Sequence, residues 1–246
     1  MNVNYLSVTA SQGPAAGSTL LNDLIAYWNF DELSGNYTDE INSNELVNSG
    51  VVQGNAGKIS NGATFDTSSD DLSIAYNSSL EFGTTDSFTI SFWLYLNNTP
   101  ATAGRTFYAC RFSMTSGYSR AIQVRFPTDG VYVVVDFYTS TGTNHTCESY
   151  YGKFTTGAWN HFVVYKNSST TKTYINGTDW TSSSYSTPGN ILSFNQSLFI
   201  GNYDGSSTQS IDGYIDEFAY WNRALTTDEI AELYNSGNGK TYPFTS

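Results

Sequence analysis

The stretch SFTISFWLYL, residues Ser87–Leu96, alternates between two sets of side chains over its whole length. Every second residue from Phe88 onward is aliphatic or aromatic. Successive side chains of a β-strand point to opposite faces of a sheet, so this pattern predicts a strand with one face in a core. The other face carries Trp93 and Tyr95, which indicates that it is not a plain solvent face.

Stretches with the same period of two recur along the chain, and Gly, Asn and Ser separate them. The clearest are Ala121–Phe126, Val131–Tyr138, Asn160–Tyr165, Ser197–Ile200 and Gly213–Trp221. The PTDG sequence between the first two predicts a tight hairpin turn. Short strands joined by turn residues predict an all-β protein, a two-sheet antiparallel sandwich.

One short helix is predicted near the C-terminal end. Thr226–Glu229 reads TTDE, a capping box in which the Thr226 hydroxyl and the Glu229 carboxylate each bind the other's backbone amide. Apolar residues follow at helical spacing, and Gly237 is a natural stop. We therefore expect three segments: an N-terminal arm (1–22), one domain (23–237) and a C-terminal tail (238–246). The arm is either a disordered leader or a tether for assembly.

The composition excludes several classes of protein. The chain has 246 residues with 10 Lys and Arg against 22 Asp and Glu, a formal net charge of −12. Nucleic-acid binding is not expected, because neutralising phosphates requires clustered basic residues. No apolar run approaches the roughly 18 residues of a membrane helix. Met1–Ser11 lacks the basic and apolar regions of a signal peptide, so either a leader was removed or the protein reaches its site by assembly.

Two cysteines, Cys110 and Cys147, leave two alternatives open. They could form one disulfide, but a domain of this size does not need one, and free thiols are the favoured interpretation. The sequence has no CxxC motif and no cluster of Cys and His, so a zinc site is not expected.

Seven short motifs occur along the chain in an order that is typical of one family. They are LIAYWNFDELSG (Leu24–Gly35), GKISNGATF (Gly57–Phe65), FTISFWL (Phe88–Leu94), AWNHFVVY (Ala158–Tyr165), TYING (Thr173–Gly177), FIG (Phe199–Gly201) and GYIDEFAYWNRAL (Gly213–Leu225). This order resembles the laminin-G-like, concanavalin A-like lectin/glucanase family of jelly-roll domains, over about residues 24–235. The resemblance implies a concanavalin A-like jelly-roll fold. It does not fix a function, because this fold hosts lectins, adhesion modules, hydrolases and structural parts.

The resemblance also implies that the first and last strands are neighbours, which would bring Asp31 close to Asp216. If Phe218 faces the core, Asp216 shares its parity, and a carboxylate there requires a partner. Calcium accepts six to eight oxygen ligands, so we predict a structural calcium bound by Asp31 and Asp216, with Asp39 as a further ligand. The alternative is a turn cap for Asp31 and a hydrogen-bonded Asp216.

No catalytic arrangement is predicted. Glucanases of this fold carry acidic residues that alternate on one face of a strand, such as ExDxE, which sets an acid beside a nucleophile. Here Asp216 and Glu217 are adjacent and point to opposite faces. There is no GxSxG motif, and His161 is interpreted as a packed structural histidine. We expect a protein that is not an enzyme.

The chain is rich in the residue types that bind sugars. Aromatic faces cover the C–H surfaces of a sugar, while Asn, Asp, Arg and backbone groups bind its hydroxyls. Residues of these types lie in loops that we expect to gather at one rim. The candidate ligand-binding residues are Tyr118, Tyr150, Tyr151, Trp180, Tyr185, Tyr203 and Asp204. The alternative is that these rings cover sheet faces or form a protein–protein contact.

The acidic, Lys-poor composition is similar to that of bacteriophage virion surface proteins. We therefore predict a non-catalytic carbohydrate-binding and adhesion module on a virion surface or in the extracellular space, which contacts host glycans or surface polysaccharide. Residues 1–22 would attach it to capsid or tail proteins. The alternative is a structural or decoration protein that uses the sandwich for assembly, with copies of itself among its partners.

Overall fold

The computed structural model describes residues 18–80, 87–113, 120–128, 131–138, 144–168, 170–184, 196–205 and 208–245. They form two antiparallel sheets of eight strands each, which confirms the predicted all-β sandwich. The first sheet contains β1 (Leu24–Trp28), β3 (Val52–Ala56), β4 (Asn61–Phe65), β6 (Phe88–Leu96), β11 (Trp159–Lys166), β12 (Thr171–Ile175), β13 (Thr178–Asp179) and β16 (Gly213–Trp221). The second contains β2 (Val47–Ser49), β5 (Asp71–Ile74), β7 (Phe107–Ser113), β8 (Arg120–Phe126), β9 (Val134–Tyr138), β10 (Asn144–Ser149), β14 (Thr181–Ser184) and β15 (Leu198–Ile200).

The strand order shows how the two sheets are built from distant segments. The first sheet runs β13-β12-β11-β6-β16-β4-β3, with β1 paired to β16. The second runs β14-β10-β9-β8-β7-β15-β5-β2. The first and last strands are therefore neighbours, as the resemblance implied. A four-residue helix, α1 (Pro100–Ala103), follows β6 and begins after the N-cap residue Thr99.

The core lies between the sheets and is mainly aromatic and branched aliphatic. The side chains of β6 that the sequence assigned to the core are all buried there. Phe92 stacks on Phe162 of β11 and on Phe218 of β16, with ring centroids 5.6 and 5.9 Å apart. Large buried rings contribute most of the apolar area removed from water, so this layer supplies much of the folding free energy.

The predicted helix is confirmed as α2 (Thr227–Tyr234), and both hydrogen bonds of its capping box are formed. It ends earlier than predicted, because Asn235 takes the left-handed conformation that was assigned to Gly237 (φ 47°). The apolar side of α2 packs on the outer face of the first sheet, the face turned away from the core. There Ile230 and Leu233 join a second apolar cluster with Trp221 and Phe244.

A β-bulge in β16 overturns one prediction. Ile215 pairs with Leu94 and Asp216 with Trp93, but the next pair is Ala219 with Ser91, so β16 holds one extra residue. Glu217 takes φ 53° within this bulge. The extra residue reverses the parity of the strand. Asp216 therefore lies on the outer face, whereas the prediction placed it on the core face with Phe218.

Both cysteines are free and buried, as the favoured interpretation expected. Cys110, Val124, Val135 and Cys147 form one cross-strand row over β7, β8, β9 and β10. Three strand spacings separate the two thiols by about 14 Å. A disulfide requires Cα atoms within about 7 Å, so these residues cannot be bridged in this fold.

Candidate functional site

A row of polar side chains crosses the outer face of the second sheet. Cross-strand pairing places Arg111, Gln123, Asp136 and Thr146 side by side on β7, β8, β9 and β10. Asp136 Oδ2 accepts from Gln123 Nε2 and from Arg125 Nε, both at 2.7 Å, and Asp136 Oδ1 accepts from Thr146 Oγ1 at 2.9 Å. The carboxylate is thus held by three side chains from two neighbouring strands.

The charge on Asp136 is maintained by these contacts. Burial alone would raise the pKa of Asp136, but the bonds from Arg125, Gln123 and Thr146 lower it below its ordinary value. Burial would likewise lower the pKa of Arg125, and the bond to Asp136 raises it instead. The ion pair therefore stays charged on both sides, because charge-assisted hydrogen bonds stabilise the ionised forms.

Tyrosine rings flank this ion pair on both sides. Tyr108 is the cross-strand partner of Arg125, and its ring centroid lies 4.9 Å from that of Tyr203. On the other side Tyr132 packs against Tyr151, with centroids 4.3 Å apart. Tyr108 and Tyr132 both contribute to the raised pKa of Arg125, after the larger effect of Asp136. We call Tyr203, Tyr108, Tyr132 and Tyr151, together with the Arg125–Asp136 pair, the aromatic band.

Three of the predicted ligand residues meet at one end of the aromatic band. Tyr150 and Tyr151 are 53% and 61% exposed. The Tyr150 amide donates to the Trp180 carbonyl at 2.8 Å, which fixes the start of this turn against β14. The Lys153 ammonium lies 4.0 Å from the centroid of a Trp180 ring, a cation–π contact.

Tyr203 and Asp204 lie at the other end, in the turn that follows β15. Asn202 Oδ1 accepts from the Tyr203 amide at 2.5 Å, and Asn202 Nδ2 donates to the Asp70 carbonyl at 3.1 Å. The Arg111 guanidinium lies 3.9 Å from the Tyr203 ring centroid and donates to the Tyr203 carbonyl at 2.7 Å. The ring is therefore held from below. Two other candidates, Tyr118 and Tyr185, lie outside the described residues.

The sequence prediction missed the centre of this site. Tyr108, Arg111, Arg125, Tyr132 and Asp136 lie within strands, whereas the candidates were sought in loops. A signal was present: Tyr132 and Asp136 occupy the parity opposite to the core in their stretch. The same holds for Gln123 and Arg125 in Ala121–Phe126. Reading the outward parity of neighbouring strands together would have found the polar row.

The predicted metal ligands Asp31 and Asp216 are brought near one another, and a tight loop lies between them. Asp31 Oδ1 accepts from the Asn61 amide at 2.8 Å. Asp216 Oδ2 accepts from the amides of Lys58 and Ile59 at 2.8 and 2.9 Å. A Cβ on Gly57 would lie 2.1 Å from the Asn61 carbonyl oxygen, so the loop requires glycine there. Backbone amides thus provide the positive partners that the prediction assigned to calcium.

The surroundings of Asp216 perturb its pKa strongly. Burial raises its pKa well above the ordinary value, and repulsion from Asp31 adds to this. Hydrogen bonds from the backbone amides of Ile59, Glu217 and Lys58 act in the opposite direction. Both oxygens of Asp216 have donors, since Oδ1 accepts from the Glu217 amide at 2.9 Å.

The carboxylate of Asp39 accepts hydrogen bonds from the turn in which it lies and from the neighbouring strand β1. Its two oxygens accept from the amides of Tyr27 and Ile41, both at 2.9 Å, and from Asn44 Nδ2 at 2.7 Å. In the part of the chain that the structure describes, no three His, Cys, Asp or Glu side chains are grouped to hold a metal ion. The donors around Asp39 and Asp216 do not fit a calcium site, and calcium stays a prediction.

His161 is enclosed beneath α2. Its Nε2 lies 2.8 Å from Ser91 Oγ, and its ring packs against Trp93 with centroids 4.9 Å apart. Burial lowers the pKa of His161 to about 3, so the imidazole is neutral at physiological pH. These contacts are those of a packed structural histidine.

A cavity of about 630 Å³ lies on the opposite side of the molecule from the aromatic band. It is bounded by Ile59, by the end of α2 near Asn235, and by the C-terminal segment from Gly239 to Thr245. The rim carries the ion pair Lys240–Glu232, with Nζ and Oε1 2.5 Å apart. Of the predicted ligand residues that the structure describes, none borders this cavity.

The fold and the aromatic band define a class: a jelly-roll sandwich whose second sheet presents aromatic and polar side chains on its outer face. A laminin G-type family model, described as the concanavalin A-like lectin/glucanases superfamily, matches residues 65–231. This match covers more than half of the chain, so the protein belongs to that superfamily. The resemblance drawn from the seven motifs is confirmed.

Several solved structures share the fold. The binding domain of Paraclostridial Mosquitocidal Protein 1 is 19% identical, with a TM-score of 0.67, and the match covers 87% of this chain and 52% of that one. The ligand binding domain of botulinum neurotoxin serotype D, in complex with N-acetylneuraminic acid, is 13% identical, with a TM-score of 0.66, and the match covers 87% and 50%. The receptor binding domain of the botulinum neurotoxin C/D mosaic serotype is 13% identical, with a TM-score of 0.67, and the match covers 87% and 51%.

At these identities the likeness shows a common fold. The chain spans about half the length of the structures that it matches. No curated protein matches it. Within the described ranges, no helix is long and apolar enough to cross a membrane.

Proposed function

We propose that this protein is a non-catalytic carbohydrate-binding module that is displayed on a surface and binds glycans through the aromatic band. The observation that carries the proposal is the arrangement of Tyr203, Tyr108, Tyr132 and Tyr151 around a charged hydrogen-bonding pair. Rings of this kind cover the C–H faces of sugars, while fixed polar groups orient the hydroxyls.

The rigidity of the polar centre supports this function. Asp136 is buried and held by three donors, and Arg125 is fixed by the same carboxylate. Because Asp136 fixes it in place, the partly exposed Arg125 guanidinium is a preorganised donor that loses little further side-chain entropy when a ligand binds. Tyr151 and Tyr150 remain exposed at one end, where a glycan chain can extend beyond the central sugar.

The comparisons support the same class of function. Two neighbours are described as a binding domain and a receptor binding domain, and a third was solved in complex with the sugar N-acetylneuraminic acid. The absence of an alternating ExDxE strand from the sequence supports a non-catalytic role.

A glycan panel run on the full-length protein tests the proposal. Tyr203→Ala and Tyr151→Ala should each weaken the binding of a panel hit, by about tenfold or more for Tyr203, because a stacking ring is lost. Tyr214→Ala is the matched control, since Tyr214 is a half-buried ring on the outer face of the first sheet, packed on Tyr95. Trp180→Ala tests the end of the band. A blank panel, or equal losses in Tyr203→Ala and Tyr214→Ala, would contradict the proposal.

For the site of display we propose a virion surface or another exterior surface, with residues 1–22 as the attachment to capsid or tail proteins. The acidic, Lys-poor composition supports this. Deletion of residues 1–17 should release the protein from isolated particles without changing its glycan affinity. Retention of the truncated protein on the particles would argue against this attachment.

A second candidate function, assembly into a particle shell, is favoured by one edge of the sandwich. β2 and β3 lie at the edges of the two sheets, and the largest exposed apolar side chains there are Val47 and Val52. Leu33, 75% exposed, extends over Gly54 of β3. Exposed apolar groups on edge strands favour contacts with another chain. Sedimentation of the wild type and of Val52→Lys tests this candidate, and a wild type that remains monomeric at high concentration would exclude it.

A further inference from the structure

The basic residues decide which sugars the aromatic band can accept. A sugar with a carboxylate or sulfate group requires a guanidinium or ammonium group to pair with it. The chain has 10 Lys and Arg, and the structure describes the side chains of all of them except Arg120. Three of these cations lie on or beside the band: Arg111, Arg125 and Lys153.

Each of the three is already engaged. Arg125 Nε pairs with Asp136 Oδ2 at 2.7 Å. Arg111 is 5% exposed, donates to the Tyr203 carbonyl and lies under the Tyr203 ring. Lys153 contacts the face of Trp180. Lys153 lies at one end of the band, and Arg125 keeps 26% of its side-chain surface exposed.

Carboxylates outnumber these cations on the same face. Asp136 and Glu148 occupy outward positions on β9 and β10, and Asp71 occupies one on β5. Asp204 adds a fourth in the turn beside Tyr203. Asp71 lies beside this turn, since its carboxylate oxygens are 3.4 Å from where a Cβ on Gly205 would be. Burial raises the pKa of Asp71, and repulsion from Asp70 and Asp204 adds to this. A chain with a net charge of −12 strengthens the same bias at long range.

We propose that the aromatic band binds neutral glycans and rejects sialylated, uronic and sulfated ones; this inference rests on the proposed function. Because the three cations are already engaged and carboxylates lie beside them, an acidic sugar would lose its hydration without gaining a cation to pair with. Sugar hydroxyls meet no such penalty. A hydroxyl can accept from Arg125, whose side chain is 26% exposed, while the buried Asp136 holds the guanidinium in place.

The test is a panel of matched glycans, in which each neutral member has an acidic derivative. Lactose is compared with 3′-sialyllactose, and dextran with dextran sulfate, at about 0.15 M salt, where charges closer than the Debye length of about 8 Å still interact. We expect the neutral member of a bound pair to bind at least about tenfold more tightly. Raising the salt concentration should reduce this ratio by weakening the repulsion.

Two variants connect the selectivity to charge. Asp204→Asn removes a carboxylate beside Tyr203 and should lower the neutral-to-acidic ratio about threefold. Asp228→Asn makes the same change in the first turn of α2, on the other side of the molecule, and should leave the ratio unchanged. A ratio that Asp204→Asn does not move would overturn the charge argument.

The outcomes separate this inference from the function on which it rests. Acidic members that bind as tightly as their neutral partners would overturn the inference and leave glycan binding in place. A wild type that binds neither member of any pair would overturn both. A neutral preference that falls with salt and with Asp204→Asn supports both.

Discussion

The two outer faces of the sandwich differ in what covers them. On the first sheet, α2 and the C-terminal segment return over the strands, and Ile230, Leu233 and Phe244 bury Trp221 beneath them. On the second sheet, Tyr150 and Tyr151 are exposed at one end of the aromatic band, while Tyr108 and Tyr132 within it are only 9% and 6% exposed. The strands alternate in the same way in both sheets. Whether the outward side chains are covered therefore depends on α2 and the C-terminal segment, which pack on the first sheet.

The ionisable groups on the two faces differ accordingly. Beneath the covered face, burial lowers the pKa of His161 to about 3 and raises that of Glu217 to about 8, so both are neutral near pH 7. On the other face Asp136 is also buried, but its pKa is lowered because Arg125 and two further donors bind it. Buried groups are thus neutral where burial dominates, as at His161 and Glu217, and stay charged where donors bind them, as at Asp136.

Removing the main contact of the covered face should give the largest effect. Trp221 is fully buried, and its Nε1 donates to the Leu20 carbonyl at 2.7 Å. Trp221→Ala should lower the free energy of unfolding by about 3–5 kcal/mol, measured by urea denaturation. Tyr151→Ala is the control on the other face and should cost less than about 1 kcal/mol. Equal losses in the two variants would remove the distinction between the faces.

The raised pKa of Glu217, on the covered face, predicts that the free energy of unfolding depends on pH. Its pKa is about 8 in the folded protein against an ordinary 4.5, so the folded state keeps a proton that the unfolded chain releases. The stability from this group is complete below about pH 4.5 and falls as the pH rises to about 8, by up to about 4 kcal/mol. Glu217→Gln should remove this fall in urea titrations at pH 5 and pH 8. A variant with the wild-type pH profile would contradict the assignment.

Glu229, on the same face, gives a pH dependence of stability opposite in sign to that of Glu217. Arg223 binds it through two hydrogen bonds of 2.7 and 2.9 Å, and Thr19 donates to it at 2.6 Å. Burial alone would raise its pKa, but these donors lower it to about 2 from 4.5. Its contribution is present above pH 4.5 and is lost as the pH falls towards 2, by up to about 3 kcal/mol. Glu229→Gln should therefore destabilise the protein at pH 7 and have little effect at pH 2.

On the binding face, Asp136→Asn should weaken glycan binding by about tenfold, equal to about 1.4 kcal/mol, because Arg125 loses its partner. The lowered pKa of Asp136 means that the carboxylate stays ionised well into the acidic range. Wild-type affinity should therefore be constant between pH 7 and pH 5. Calorimetry at both pH values checks this, and a step in affinity near pH 6 would indicate another titrating group.

The smallest effect is expected from chelation. Backbone amides already bind the carboxylates of Asp31 and Asp216, so removal of free metal should change the melting temperature by less than about 2 °C. A clear fall in melting temperature with EDTA, together with calcium found by metal analysis, would establish the calcium site that the sequence predicts.

The sequence predicted the strands more reliably than their registers. The alternation in Ser87–Leu96 and in Gly213–Trp221 identified β6 and β16, and the capping box located α2. The bulge at Glu217 could not be read from the sequence, because one extra residue leaves the local pattern intact and shows only against a partner strand. The predicted orientation of Asp216 towards the core was wrong for this reason.

The candidate site was predicted only at its ends. Tyr151 and Tyr203 lie in turns, where the sequence prediction looked for aromatic residues. The centre of the site, around Arg125 and Asp136, is formed by side chains of β7, β8, β9 and β10, which lie side by side. Arg125 and Asp136 are 11 positions apart and meet only because β8 pairs with β9 in one register. Such a contact depends on strand pairing, which a single sequence does not specify.

The covered face also determines how the protein can be mounted. The first and last described segments, near Leu20 and near Phe244, lie against the first sheet. Both join the same apolar cluster. A tag, a fused partner or a sensor chip joined directly before Ser18 or directly after Thr245 is therefore attached on the side away from Tyr108 and Tyr132. Immobilised at either of these positions, the protein presents its proposed binding face outward, without engineering of the strands.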